Sequence, residues 1–286
     1  MIVITGATGQ LGGRVVEQLL ERVPASEIAL STRDPANARG LAARGVRVRR
    51  GDFDDGASLR HAFEGATKVL LVSSGALGED GLRRHRTVID AARDCGVERL
   101  VYTSQMGADP ASAFPPMTTH AATEAMLAAS GMAFTALRNG YYAASGLMFM
   151  GRALETGELV APEDGPVAWT THDDLASAAA VVLAGDGDLD GVTPPLTGRE
   201  ALTLADLAAI ASEVTGRAIA RVIVSDDEHR ANLVAGGLPD RVADLLCGSF
   251  VASRRGAFAA TDPTLEALVG RPPATMRQFL AAAAAG

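Results

Sequence analysis

A few residues into the chain, an apolar run at Ile2–Thr5 breaks into TGATGQLGG. The stretch that follows carries Leu11, Val15, Leu19 and Leu20 at helical spacing and stops at Val23-Pro24. A strand, a glycine turn and an amphipathic helix in such close succession constrain the fold more than any other feature, because they open a βαβ unit. The rhythm then repeats. Strand-like runs at Ile2–Thr5, Ile28–Thr32, Val46–Arg49, Lys68–Ser73, Arg99–Ser104 and Ala133–Arg138 alternate with helical stretches. Six strands in strict alternation predict an α/β fold with a doubly wound, Rossmann-like parallel sheet.

After Asn139 the alternation loosens. Thr171 and Asp174 fit a capping box for a helix through Ala184, and a short extended segment near Val192–Leu196 carries prolines that confine it to a sheet edge. Thr203 is placed to cap another helix, Ile219–Val224 reads as a strand, and the rest as short helices. We therefore expect a first domain over residues 1–140, with segments near 171–197 returning to it. Residues 141–286 form a smaller, mostly helical part that covers a substrate. The longest irregular stretch is Gln105–Pro116, directly after the fifth strand.

Bulk properties exclude several classes of function. A net charge of −8 argues against a nucleic-acid partner, which needs clustered positive charge. The basic runs Arg44–Arg50 and Arg83–Arg86 read as solvated faces. Cys95 and Cys247 lie far apart, and the five histidines lack ligand spacing, so neither a disulfide nor a metal is expected. No apolar stretch is long enough to span a bilayer, and a strand beginning at Ile2 leaves no room for a signal peptide, which predicts a cytoplasmic protein.

The glycine turn predicts a dinucleotide. Gly6 permits the tight turn off the strand, Gly9 lets backbone approach a pyrophosphate, and Gly12 lets helix and strand pack closely. Gly6, Ala7, Thr8, Gly9, Gln10 and Leu11 are thus the expected cradle, with the helix N-terminus aimed at the anion. The second strand ends STRDP. Asp34 before Pro35 reads as a helix N-cap, which leaves Arg33, twenty-one positions beyond Gly12, for the 2′-phosphate of NADP. NADP(H) is therefore expected over NAD(H). Asp52 and Phe53 are placed to meet the adenine, while one of the aspartates after them caps the next helix. Ser73, Ser74 and Gly75 leave the fourth strand where small residues let a cofactor pass, and Thr103 and Ser104 do the same on the fifth or simply cap the strand end.

These stretches together resemble the NmrA-like family of atypical short-chain dehydrogenases. ITGATGQLGG, VPASEI, STRDPA, GDFDD, YTS, HAATEAML, LRNGYY and LVGRPPAT are similar to its quinone-reductase and triphenylmethane-reductase branches over nearly the whole chain. The resemblance places Arg138, Asn139, Gly140 and Tyr141 beside the nicotinamide. Asn139 would hydrogen-bond substrate or carboxamide there, and Tyr141 and Tyr142 would form an aromatic wall, unless Tyr142 is wholly structural. Phe149, Met148 and Met150 either line an acceptor pocket or belong to the core.

One residue type is nearly missing. Ordinary short-chain dehydrogenases use a Tyr with a Lys four residues later, but Lys68 is the only lysine here and starts the fourth strand, at the wrong end of the sheet. On the helix where relatives carry HxxxK the chain reads His120-Ala-Ala-Thr-Glu124. Without that pair, reduction of a simple ketone to an alkoxide lacks its acid. A quinone yields a far less basic hydroquinone anion, and a cationic dye needs no proton at its accepting carbon. The catalytic candidates are His120, as proton donor, substrate hydrogen-bonder or plain structural residue, with Asn139 and Tyr141. Glu124 either orients His120, meets the ribose or is simply exposed. The expected activity is NADPH-dependent hydride transfer to a quinone or similar electron-poor aromatic acceptor. The alternative is a non-catalytic NADP(H)-binding redox sensor. A homodimer is compatible with either.

Overall fold

The computed structural model describes residues 1–185 and 189–285, so part of the predicted returning segment, residues 186–188, lies outside the described residues. Contacts divide the chain into two compact units. One comprises Met1–Pro110, Pro116–Asn139 and His172–Pro194, the other Ala111–Pro115, Gly140–Thr171 and Pro195–Gly286.

The first unit is built on a seven-stranded sheet of β1 (Ile2–Thr5), β2 (Ile28–Thr32), β3 (Arg47–Arg50), β4 (Lys68–Leu71), β5 (Arg99–Gln105), β6 (Ala133–Asn139) and a two-residue strand, Gly191–Val192. From one edge the order is Gly191–Val192, β6, β5, β4, β1, β2, β3, and every pairing is parallel. The order reverses at β1, where the chain steps first to β2 and β3 and later to β4, so a crevice opens at the carboxyl ends of these strands. Ile2–Thr5 and Ile28–Thr32 are buried at every position, as expected for strands covered on both faces.

Helices α1 (Gln10–Leu20), α2 (Arg39–Ala43), α3 (Gly56–Phe63), α4 (Gly78–Asp94) and α5 (Pro115–Ala129) connect the strands. Helix α1 buries Leu11, Val15, Val16 and Leu19 on one face and packs on the helix His172–Ala184, itself buried along most of its length. Asp34 caps the turn that Pro35 opens, by accepting the Ala36 N–H at 2.9 Å. Asp55, rather than Asp54, caps α3. Lys68 donates its ammonium to the Leu183 carbonyl at that helix's C-terminal end, a favourable place for a cation.

In the second unit Thr203 and Asp206 form a reciprocal capping box on the helix Leu204–Thr215. The strand expected at Ile219–Val224 spans Ala220–Val224, and its parallel partner is Glu158–Pro162. That partner was not legible, because ELVAP carries no regular alternation and ends in proline. The extended segment expected near Val192–Leu196 contributes only Gly191–Val192 to a strand.

Candidate functional site

The turn after β1 is shaped by what a side chain would strike. Gly6 has φ +62°, a left-handed conformation that favours glycine, and the Val72 side chain lies 3.0 Å from where its Cβ would be. A Cβ on Gly12 would collide with the Gly6 carbonyl, so this glycine sets how closely α1 approaches the turn. The Gly9 N–H closes the turn onto the Gly6 carbonyl at 3.0 Å. Helix α1 then begins with no side-chain cap and no acidic residue in its first turn. Its leading N–H groups and the positive end of its dipole are thereby left for an external anion.

A cleft of about 240 Å³ opens beside this turn, lined by Gly6, Thr8, Arg33, Asp52, Phe53, Ser73, Ser74 and Gly75 from the expected residues. Ala7 and Leu11 are buried and do not line it, and the sequence position of Gln10 puts its backbone N–H at the start of α1. Arg33 is exposed at the cleft and makes no hydrogen bond or ion pair among the described residues, whereas neighbouring Asp34 is committed to its cap. The Asp52 carboxylate is engaged locally by the Asp54 N–H, and Phe53 packs partly against the core.

Sequence reasoning missed Ser31, Thr32, Gly51, Asp54, Val72 and Arg84 at this cleft. Ser31, Thr32, Gly51 and Val72 could have been found, because they occupy the carboxyl ends of the strands already flagged. Arg84 could not. Asp54 grips Arg84 through two oxygens and also binds Arg83, which holds its carboxyl below the usual range. The run read as a solvated face thus contributes a cation to the cleft.

The next strand ends are held by buried hydrogen bonds. Thr103 does not line the cleft: its hydroxyl accepts the Ser73 N–H at 2.8 Å and so fixes the segment after β4. The Ser74 N–H donates to His85 Nε2 at 2.9 Å. Among the described residues three buried oxygens have no hydrogen-bond partner: Ser31 Oγ, Ser74 Oγ and Asn139 Oδ1. They sit at the carboxyl ends of β2, β4 and β6, spread over four strand spacings, about 19 Å. Buried polar atoms are seldom left unpaired, so an elongated polar ligand along this edge is the economical explanation.

On α5, His120 Nδ1 lies 2.7 Å from the Tyr102 hydroxyl, and removal from water lowers the ring's pKa to about 4. Glu124 is not exposed and does not orient His120. It is 7% exposed, accepts the Ser104 hydroxyl at 2.6 Å and forms a two-point pair with Arg138, at 2.9 and 2.7 Å. The pairing raises the Arg138 pKa and occupies two guanidinium nitrogens of a residue expected to face the cofactor. Asn139, the next residue, is 2% exposed.

Gly140 and Tyr141 belong to the second unit. A Cβ at Gly140 would collide with the Thr170 hydroxyl, so packing alone demands glycine there. Tyr141 stands among Phe258, Trp169, Phe114 and Phe149, with ring centroids 4.8, 5.4, 6.2 and 6.4 Å away. Burial drives its phenol pKa well above the ordinary value, although Ser249 hydrogen-bonds it. That is an aromatic wall and a poor proton donor. Of its helical neighbours, Met148 is exposed and Met150 is core.

The sequence model of the NmrA-like family matches residues 1–271. The chain belongs to the NmrA-like family. This NmrA-like protein is 41% identical over 279 residues to quinone oxidoreductase 2 of Escherichia coli K12, covering 97% of this chain and 96% of that one. It superposes on the NADPH complex of an E. coli NADPH-dependent quinone oxidoreductase with a TM-score of 0.94, at 40% identity and 99% coverage of both chains. The NADP(H) complex of Citrobacter sp. triphenylmethane reductase gives a TM-score of 0.91, at 34% identity, covering 99% of this chain and 100% of that one.

A dinucleotide suits the residues of this NmrA-like chain on structural grounds. The uncapped α1 offers anion donors, Arg33 offers an unengaged guanidinium, and the three unpaired oxygens offer polar contacts along the same edge. Gly6, Thr8, Gly75 and Arg33, which line the cleft, would hold its phosphates, and Ser31, Asp52 and Phe53 the adenosine.

Proposed function

We propose that this chain is an NADPH-dependent reductase that passes hydride to quinones or comparable electron-poor aromatic acceptors. In this reading residues 1–140, with the segment 171–197, bind the cofactor, and residues 141–286 supply acceptor contacts. NADPH, when bound, supplies the hydride. The protein's own residues position, shield and hydrogen-bond.

The observation that carries the reading is the environment of the HxxxE helix. The position of the missing lysine holds Glu124, locked to Arg138, and His120 is neutral at physiological pH because its pKa lies near 4. A site so equipped offers a neutral N–H donor instead of a strong acid. That suffices for a hydroquinone anion, whose charge is spread over an aromatic ring, and falls short for an alkoxide. A 41% identity to E. coli quinone oxidoreductase 2, over an alignment that covers 97% of the chain, supports the same acceptor class. Among the described residues no helix is long and apolar enough to cross a membrane. We take the setting to be the cytoplasm and the partner to be a small aromatic molecule, with no nucleic acid, and a homodimer is compatible with this.

The test is NADPH oxidation by purified protein with a simple benzoquinone, against NADH and protein-free controls. Protein-dependent oxidation that prefers NADPH supports the reductase. Tight NADPH binding without turnover, across quinones and a cationic dye, would overturn it in favour of a redox sensor.

A further inference from the structure

We propose that Tyr102 is a positioning residue that locks His120 in the tautomer protonated on Nε2, so that a neutral N–H donor is presented to the oxygen of the acceptor. The proposal rests on the reductase reading and on contact between His120 and the acceptor. Neither the glycine turn nor the family motifs assign Tyr102 any part in it.

Tyr102 lies on β5 with its side chain fully buried, inside an apolar cluster that also holds Leu100 and Leu127. Its hydroxyl meets His120 Nδ1 at 2.7 Å, with ring centroids 5.8 Å apart. Of the two possible directions, chemistry favours one. A phenol is a strong neutral donor and a weak acceptor, whereas the unprotonated imidazole nitrogen is a strong acceptor. The hydroxyl therefore donates to Nδ1. A neutral ring that accepts on Nδ1 carries its proton on Nε2. Nε2 makes no hydrogen bond among the described residues and is left for an external acceptor.

A second histidine gives an internal contrast. His85, 1% exposed on α4, packs edge-on to Tyr102 with centroids 5.5 Å apart. Here the backbone N–H of Ser74 donates to Nε2, so the proton sits on Nδ1 and goes to the Thr123 hydroxyl, 2.9 Å away. Thr123 can accept it because its own hydrogen goes to the Thr119 carbonyl at 2.8 Å. The two rings that flank Tyr102 are thus set in opposite tautomers. His85 spends both nitrogens on the fold, while His120 spends one and keeps the other.

The experiment is nitrogen-15 NMR of the imidazoles in the full-length protein at neutral pH, with His120 assigned by its loss in His120→Gln. It is paired with quinone kinetics and NADPH binding for Tyr102→Phe, a change that keeps the buried ring. We expect His120 on Nε2 and His85 on Nδ1 in the parent protein. In Tyr102→Phe, His120 should become a tautomer mixture, kcat should fall about tenfold, and the NADPH Kd should be unchanged. His120 found on Nδ1 in the parent, or an unchanged tautomer in Tyr102→Phe, overturns the proposal. A tautomer that shifts while His120→Gln retains full kcat would instead remove His120 from the reaction and leave Tyr102 as the group that sets its tautomer. The NMR readout needs no turnover, so failure of the reductase reading stays distinguishable.

Discussion

Glu124 and Arg138 meet side by side, Oε1 on Nε at 2.9 Å and Oε2 on Nη2 at 2.7 Å, with the carboxylate all but buried. The pair ties α5 to the end of β6, one residue before Asn139. It also explains why glutamate stands four residues after His120. A lysine there would face Arg138 across a site with little water.

Glu124→Gln should therefore lower stability by roughly 2 to 3 kcal/mol, since it removes the charge opposite a partly buried guanidinium and leaves one neutral acceptor where there were two charged ones. Glu124→Lys should cost more and gain no alcohol dehydrogenase activity. Thermal melts and assays with simple alcohols check both, and a Glu124→Lys protein of parental stability would contradict the account.

Among the described residues Arg33 is the one cation at the cleft without a protein partner. Arg33→Ala should weaken NADPH binding about tenfold or more while NADH binding changes within about twofold. Fluorescence titration of both cofactors decides, and equal losses would remove Arg33 from the 2′-phosphate.

The glycines of the cleft differ in what they exclude. A Cβ on Gly12 strikes the Gly6 carbonyl, whereas one on Gly75 meets nothing within 4 Å. Gly12→Ala should cost about 3 kcal/mol or prevent folding, because α1 must back away from the turn. Gly75→Ala should fold normally. Denaturant midpoints of the two variants make the comparison.

Stability should depend on pH in a known direction. His85 and His120 are both held near pKa 4 by burial, against 6.5 for a free imidazole. Between those values the unfolded chain binds more protons than the native one. The contribution is complete above pH 6.5 and is lost as pH falls towards 4, on the order of 3 kcal/mol per ring. Urea midpoints should drop through this window, and more shallowly in His85→Gln. A pH-independent midpoint would refute the burial of these rings as neutral groups.

Local signals carry far in this sequence. The strand–turn–helix at Ile2–Leu20, the alternation through β6, the Asp34 cap before Pro35 and the Thr203 cap were all legible, because each rests on residues a few positions apart. The glycine spacing and Arg33 pointed to the same cleft for the same reason. What tertiary structure alone decided involves residues that the chain brings together from afar. Arg84 reaches the cleft because Asp54 draws it there from thirty positions away. Tyr102, read only as part of a strand, becomes the partner of His120 because β5 and α5 pack together, and Glu124 is buried because Arg138 awaits it at the end of β6. Periodicity and spacing report on the backbone. Which hydrogen bond a buried polar side chain makes is settled by whatever lies opposite it when the sheet and helices close, since the loss of water forces each such group to take the partner at hand.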